Sequence, residues 1–334
     1  MPDKKHQDVD YLFLSTMLRA RTASFINEEV TERMLAAGSY EEAASILAEI
    51  GWPDMSEADS KGVDAALSAR REEVFEELAR LSPDIELVDL YRLRYDYHNA
   101  KAIVKAEAMG TDANGILSNS GRIAPEKIRE AFFTEDYRFI PPVLGKAMSR
   151  ARDMLAKSEN PQLSDFILDE ACYAEMAAIA EKLDSRFVKD YVRLCIDSAN
   201  LRSCVRCSRM KKDSEFLGSV LLPGGNLDKN HLASAVGAGD GIASAFAGTA
   251  LKEAAVLGAE AARGGRLTAF ELKCDNTVIR FMRSARMHGF GPECVAGYIA
   301  ASENDITSAR IILTGLLSGL SAEHIRERLR DNYV

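Results

Sequence analysis

The chain has 334 residues, 28% charged and 47% hydrophobic, which excludes intrinsic disorder and leaves room for two or three domains. Acidic residues outnumber basic ones 51 to 42, and a net charge of −9 disfavours a nucleic-acid grip, which needs a concentrated basic face. Uncharged stretches such as Ile311–Ala322 stop at 12 residues, against roughly 20 for a membrane-spanning helix, so no transmembrane span is expected.

The opening MPDKKHQDVD lacks the apolar core of a signal peptide and reads as cytoplasmic. Asp8 to Ala37 carries apolar residues at helical spacing and is predicted as helix up to Gly38. Ser39 restarts a helix, with Glu42 completing a capping box. Ser82-Pro83 predicts an N-cap and first helical position, and that helix runs to Met109 before Gly110. Ser164, Thr268 with Glu271, and Gly291-Pro292 mark further starts. No alternating run reads as a strand. The expected fold class is all-α.

Two landmarks recur. Asp96-Tyr97-His98-Asn99-Ala100-Lys101 is matched by Asp197-Ser198-Ala199-Asn200-Leu201-Arg202, and more weakly by Asp305-Ile306-Thr307-Ser308-Ala309-Arg310. Gly121, Ile123, Ile128 and Asp136 align with Gly225, Leu227, Leu232 and Asp240 at a constant offset of 104 (225 − 121). The breaks at Gly38-Ser39, Glu135-Asp136 and Gly239-Asp240 complete the series. Three related helical units are predicted, over 1–110, 111–213 and 214–334.

Catalytic motifs are scarce. There is no phosphate-cradling G-x-x-x-x-G-K-[ST], and Gly237-Ala238-Gly239-Asp240-Gly241 has neither dinucleotide spacing nor a preceding strand. The six cysteines are expected as reduced thiols. Cys204-Val205-Arg206-Cys207 lacks a second pair, and its repeat equivalents Ile103, Ile312, Ala106 and Gly315 are core types, so packing is favoured over metal. His6, His98, His231, His288 and His324 show no metal-ligand spacing. No cofactor, metal or catalytic residue is expected.

The motif residues Asp96, Asn99, Lys101, Asp197, Asn200, Arg202, Asp305, Ser308 and Arg310 permit two readings. One is a binding site used three times. The favoured one is structural, with the polar groups satisfying helix ends and neighbouring units, and Arg19 and Arg21 as possible partners. Asn230 to Gly265 holds 19 Ala or Gly in 36 residues, suiting tight packing or a low-profile surface for a partner, with Gly241 and Ala245 as candidate contact residues.

From the Tyr11–Arg21 opening, the Asp96–Lys101 motif on a long helix, the threefold duplication and the closing Ile325-Arg326-Glu327-Arg328-Leu329-Arg330, the chain resembles the C subunit of V-type and archaeal-type ATP synthases, related to the d subunit of eukaryotic V-ATPases. Ser308 departs from the motif asparagine. The resemblance implies three pseudo-threefold-related helical domains forming a funnel. It implies a non-catalytic central-stalk subunit on the cytoplasmic face, joining the central shaft to the membrane rotor ring and transmitting torque. A helical scaffold unrelated to rotary motors, or an all-α enzyme, are the other classes.

Overall fold

The computed structural model describes residues 8–237 and 241–334, and all of its regular structure is helical among these residues. The described chain divides into two compact units. One holds residues 8–84, 208–211 and 241–334, and the other holds 85–207 and 212–237. These are divisions of packing, and they cross the sequence limits of the repeats.

The first unit opens with α1 (Leu12–Ala20), α2 (Glu28–Ala36), α3 (Tyr40–Glu49) and α4 (Ser60–Leu81). The single helix expected from Asp8 to Ala37 is instead broken at Phe25-Ile26-Asn27. Asn27 leaves the helical region and its side chain accepts the Val30 N–H at 2.9 Å, a new N-cap. The break frees the Ile26 N–H for a partner elsewhere in the fold. Ser39 caps α3 as expected, accepting the Glu42 N–H at 3.2 Å, while the Glu42 carboxylate accepts the Gly38 N–H at 2.8 Å. The reciprocal bond therefore falls one residue earlier than in the standard box.

The second unit contains α5 (Ile85–Met109), α6 (Pro125–Thr134), α7 (Pro142–Ser158), α8 (Pro161–Leu183), most of α9 (Arg186–Arg209), α10 (Ser214–Val220) and α11 (Lys229–Gly237). Proline at the first position of α6, α7 and α8 loses no helical bond, because that N–H has no intrahelical acceptor. Two expected starts move. The Ser82 hydroxyl donates to the Asp84 carbonyl, so α5 begins at Ile85 and Pro83 stays outside it. Ser164 is buried inside α8, because Asn160 caps that helix by accepting the Gln162 N–H at 3.0 Å.

The first unit resumes with α12 (Gly241–Ala245), α13 (Lys252–Ala262), α14 (Leu267–Arg283), α15 (Pro292–Leu317) and α16 (Ala322–Arg326). Gly291-Pro292 starts α15 as expected, whereas Thr268 lies within the first turn of α14. Ile306, Ala309, Ile312 and Leu313 of α15 join Met34, Leu47, Val63 and Leu67 in one buried cluster. Each fully buried Val, Leu, Ile or Met side chain of this cluster contributes about 1.5–3 kcal/mol. In the second unit α8 packs along both α5 and α7.

Candidate functional site: three buried carboxylates

Asp96 on α5 is completely buried. Its Oδ1 accepts the Arg122 N–H at 2.9 Å and the Ile123 N–H at 3.1 Å, and its Oδ2 accepts Arg122 Nε at 2.7 Å. The other end of that guanidinium reaches Glu175 Oε1 at 2.8 Å. One turn along, Asn99 holds Ser118 from both sides, donating to its carbonyl and accepting its N–H, each at 2.8 Å. The α5 motif thus clasps the loop 118–123 by its main chain.

Asp197 on α9 repeats the arrangement with neutral donors. It accepts the Asn226 N–H at 3.2 Å, the Asn226 side-chain amide at 2.8 Å and the Leu227 N–H at 3.3 Å. Asn200 bonds Leu222 both ways, at 2.9 and 2.8 Å. The two landmarks that recur separately along the chain therefore touch. A Cβ added to Gly121 or Gly225 would be driven into Oδ1 of Asp96 or Asp197, closer than any real contact.

Asp305 on α15 is also buried, and its Oδ2 accepts the Ile26 N–H at 2.8 Å. Its Oδ1 has no hydrogen-bond partner among the described residues. Ile26 stands 97 residues before Ile123 (123 − 26), the same separation as Ser39 from Asp136, so the N-terminal segment supplies the third loop. Ser308, in the asparagine position, is buried.

Burial raises all three carboxyls, and the counterweights differ. The Arg122 guanidinium and two N–H groups oppose it at Asp96, and the Asn226 amide with two N–H groups opposes it at Asp197. At Asp305 the Ile26 N–H and the charge of Arg70 act against burial without offsetting it, so that carboxyl is pushed well above its ordinary 3.8.

The third motif position is outward and paired. Lys101 Nζ lies 2.5 Å from Asp169, and Arg310 Nε lies 2.8 Å from Asp64, while Arg202 donates to Ser198 Oγ at 2.6 Å. Arg19 and Arg21 do not serve the motif carboxylates. Arg21 forks onto Glu77, and Arg19 donates to the His288 carbonyl, because both sit on the segment before the Phe25 break. The sequence reading missed Arg122, Asn226 and Ile26. For Arg122 and Asn226 the signal was the glycine beside each, Gly121 and Gly225, whose spacing from the motif aspartate gave no hint of contact, whereas the position before Ile26 equivalent to Gly121 is Ser24 (121 − 97) and carries no such signal.

Gly241 and Ala245 of α12 are half-buried, and the break at Gly239-Asp240 lies outside the described residues, as does His6. Cys204 and Cys207 are buried free thiols, and burial pushes Cys204 up to about 12. A native-state alkylation assay should leave Cys204 unmodified at pH 8 while denatured chain is labelled, since the thiolate is the reactive form. Among the described residues no three His, Cys, Asp or Glu side chains are grouped to hold a metal ion, and no helix is long and apolar enough to cross a membrane.

The arrangement ties loops to long helices. The sequence family described as the ATP synthase (C/AC39) subunit matches residues 14–328, nearly the whole chain. The chain belongs to this family. It is similar to the C subunit of the V-type sodium ATPase of Enterococcus hirae, with 24% identity over 97% of this chain and 99% of that protein. It is similar also to the C subunit of the V-type ATP synthase of Thermus thermophilus, with 26% identity over 62% of this chain and 67% of that one. As a C subunit of the V-type ATP synthase class, the chain is a component of a multisubunit complex. All three motif aspartates lie within the matched span.

Proposed function

We propose that this subunit is a non-catalytic coupler of the central stalk, seated on the cytoplasmic face between the central shaft and the membrane rotor ring. The observation that carries the proposal is the family match across residues 14–328, covering every clasp residue named above. Torque transmission needs loops that do not yield. Main-chain bonds to buried carboxylates suit this, because a bond inside the low-dielectric interior has no water competing for it. The three recurring units, 1–110, 111–213 and 214–334, would then be related by pseudo-threefold symmetry in a funnel. Gly241 and Ala245 remain candidates for part of the ring-facing surface through their exposed halves.

The test is reconstitution. Membrane vesicles carrying the complete rotary ATPase are compared with vesicles stripped of this subunit and then resupplied. Ion-driven ATP synthesis should vanish on removal and return on resupply, while ATP hydrolysis by the detached catalytic head stays unchanged. Hydrolysis lost from the free head, or synthesis that persists without the subunit, overturns the proposal.

A further inference from the structure

The turn Ser284–Met287, between α14 and α15, carries an apolar tip among cations. Met287 is 87% exposed, the most exposed large apolar side chain among the described residues, and Phe290 just beyond it is exposed as well. Arg283 and Arg286 flank the tip, both exposed. Arg283 forms no ion pair or hydrogen bond among the described residues. Arg286 donates to the Tyr333 carbonyl at 3.5 Å, and Arg19 of α1, which lines one small cavity with Arg286, donates to the His288 carbonyl. A carbonyl satisfies an N–H without neutralising the guanidinium, so three positive charges stand together without a carboxylate partner. α1 adjoins the same loop, because its Ser15 hydroxyl accepts the Gly291 N–H at 3.3 Å. Leu12, one turn earlier on that face of α1, is exposed and widens the apolar surface.

Two features decide what covers this surface. A side chain as exposed as Met287 stands proud of its surroundings, which suits entry into a soft medium rather than closure against a rigid face. The unpaired arginines call for anions beside that medium. An anionic lipid interface supplies both, with phosphates at headgroup level and an acyl boundary just below. Arginine stems can then lie along apolar surface while their forks bond phosphate oxygens. The whole-chain charge of −9 does not prevent this, because charges act across only about 10 Å at 0.1 M salt. The neighbouring acids Asp8 and Glu293 lie against Gly291 at the start of α1 and bound the patch there. Asp8 precedes Arg19 by 11 residues (19 − 8), roughly 16 Å or more along the helical axis.

We propose that the segment 283–290, with Arg19, docks on an anionic lipid surface. Met287 and Phe290 enter the interface, and Arg19, Arg283 and Arg286 hold lipid phosphates. The assignment stands independently of the coupling role, and its test uses no other subunit.

That test is cosedimentation of the full-length chain with large vesicles. Phosphatidylcholine vesicles carrying about 30% phosphatidylglycerol should bind half of the chain at about 0.1–1 mM lipid, near the scale of a single myristoyl anchor. Pure phosphatidylcholine should bind at least about tenfold more weakly, and salt at about 1 M, which cuts the screening length to about 3 Å, should release most of the chain. The double variant Arg283→Gln/Arg286→Gln should weaken binding to the anionic vesicles at least about tenfold, at about fivefold per arginine. Met287→Asp should weaken it by a similar factor, with circular dichroism checking that each variant is folded. Met287→Trp should shift to bluer emission when anionic vesicles are added, over the constant signal of the buried Trp52. No binding at about 5 mM anionic lipid overturns the proposal and leaves the turn to a protein partner. Equal binding to the two kinds of vesicle, or full affinity in the folded double variant, overturns it as well. Release by inorganic phosphate beyond that by chloride of equal ionic strength would mark a small-anion site instead, and overturns it equally.

Discussion

Gly121→Ala and Gly225→Ala should each destabilise the folded chain by about 2–4 kcal/mol, a severe loss for a single methyl group. The reason is steric and electrostatic together. In both loops the added Cβ is driven into the carboxylate oxygen that holds the neighbouring N–H groups. Relief requires the loop to retreat from the aspartate, which breaks the bonds that compensate for burying its charge. Gly115→Ala is the matched control, because a Cβ there meets nothing within 4 Å. Calorimetric melting of the three variants decides the point. If Gly121→Ala melts with the control, the clasp is not tight and the account of the glycine landmark fails.

The second expected result concerns the asymmetry among the aspartates. Asp96→Asn should cost about 1–3 kcal/mol, since one end of the nearly buried Arg122 guanidinium then faces a neutral amide while Glu175 still pairs with the other. Asp305→Asn should be neutral or stabilising at pH 7–8. There the amide oxygen still accepts the Ile26 N–H, and no carboxyl has to be held in the interior against its tendency to ionise. The pH dependence follows from the raised folded-state value of Asp305. A carboxyl raised on folding binds its proton more tightly in the native state, so its contribution is full below the ordinary carboxyl range. That contribution declines as pH rises from about 4 through the folded-state value. Wild-type stability should therefore fall with pH across this window more steeply than that of Asp305→Asn. Parallel stability–pH curves for the two proteins would show Asp305 to be ionised in the native state, contrary to this expectation.

Caps, periodicity and repeats are local or self-referential, and these made the chain legible as all-α with a thrice-recurring motif. Ser39, Gly110 and Gly291-Pro292 punctuate the helices as expected, because a cap bonds within a few residues of itself. The resemblance to the C-subunit family of V-type ATP synthases was also readable, since it rested on the order of landmarks rather than on any contact. What the sequence could not reveal is which landmark meets which. Asp305 and Ile26 are 279 residues apart, and no spacing rule pairs them. Their pairing also explains why the opening segment stops being helical at Phe25, where helical periodicity alone predicts continuation. The same holds for Arg122, an ordinary surface-type residue until packing carries it to Asp96 and Glu175. Local chemistry decided where helices start and stop. Only the tertiary fold decided which buried charge receives which donor, because that depends on packing between segments distant in the chain.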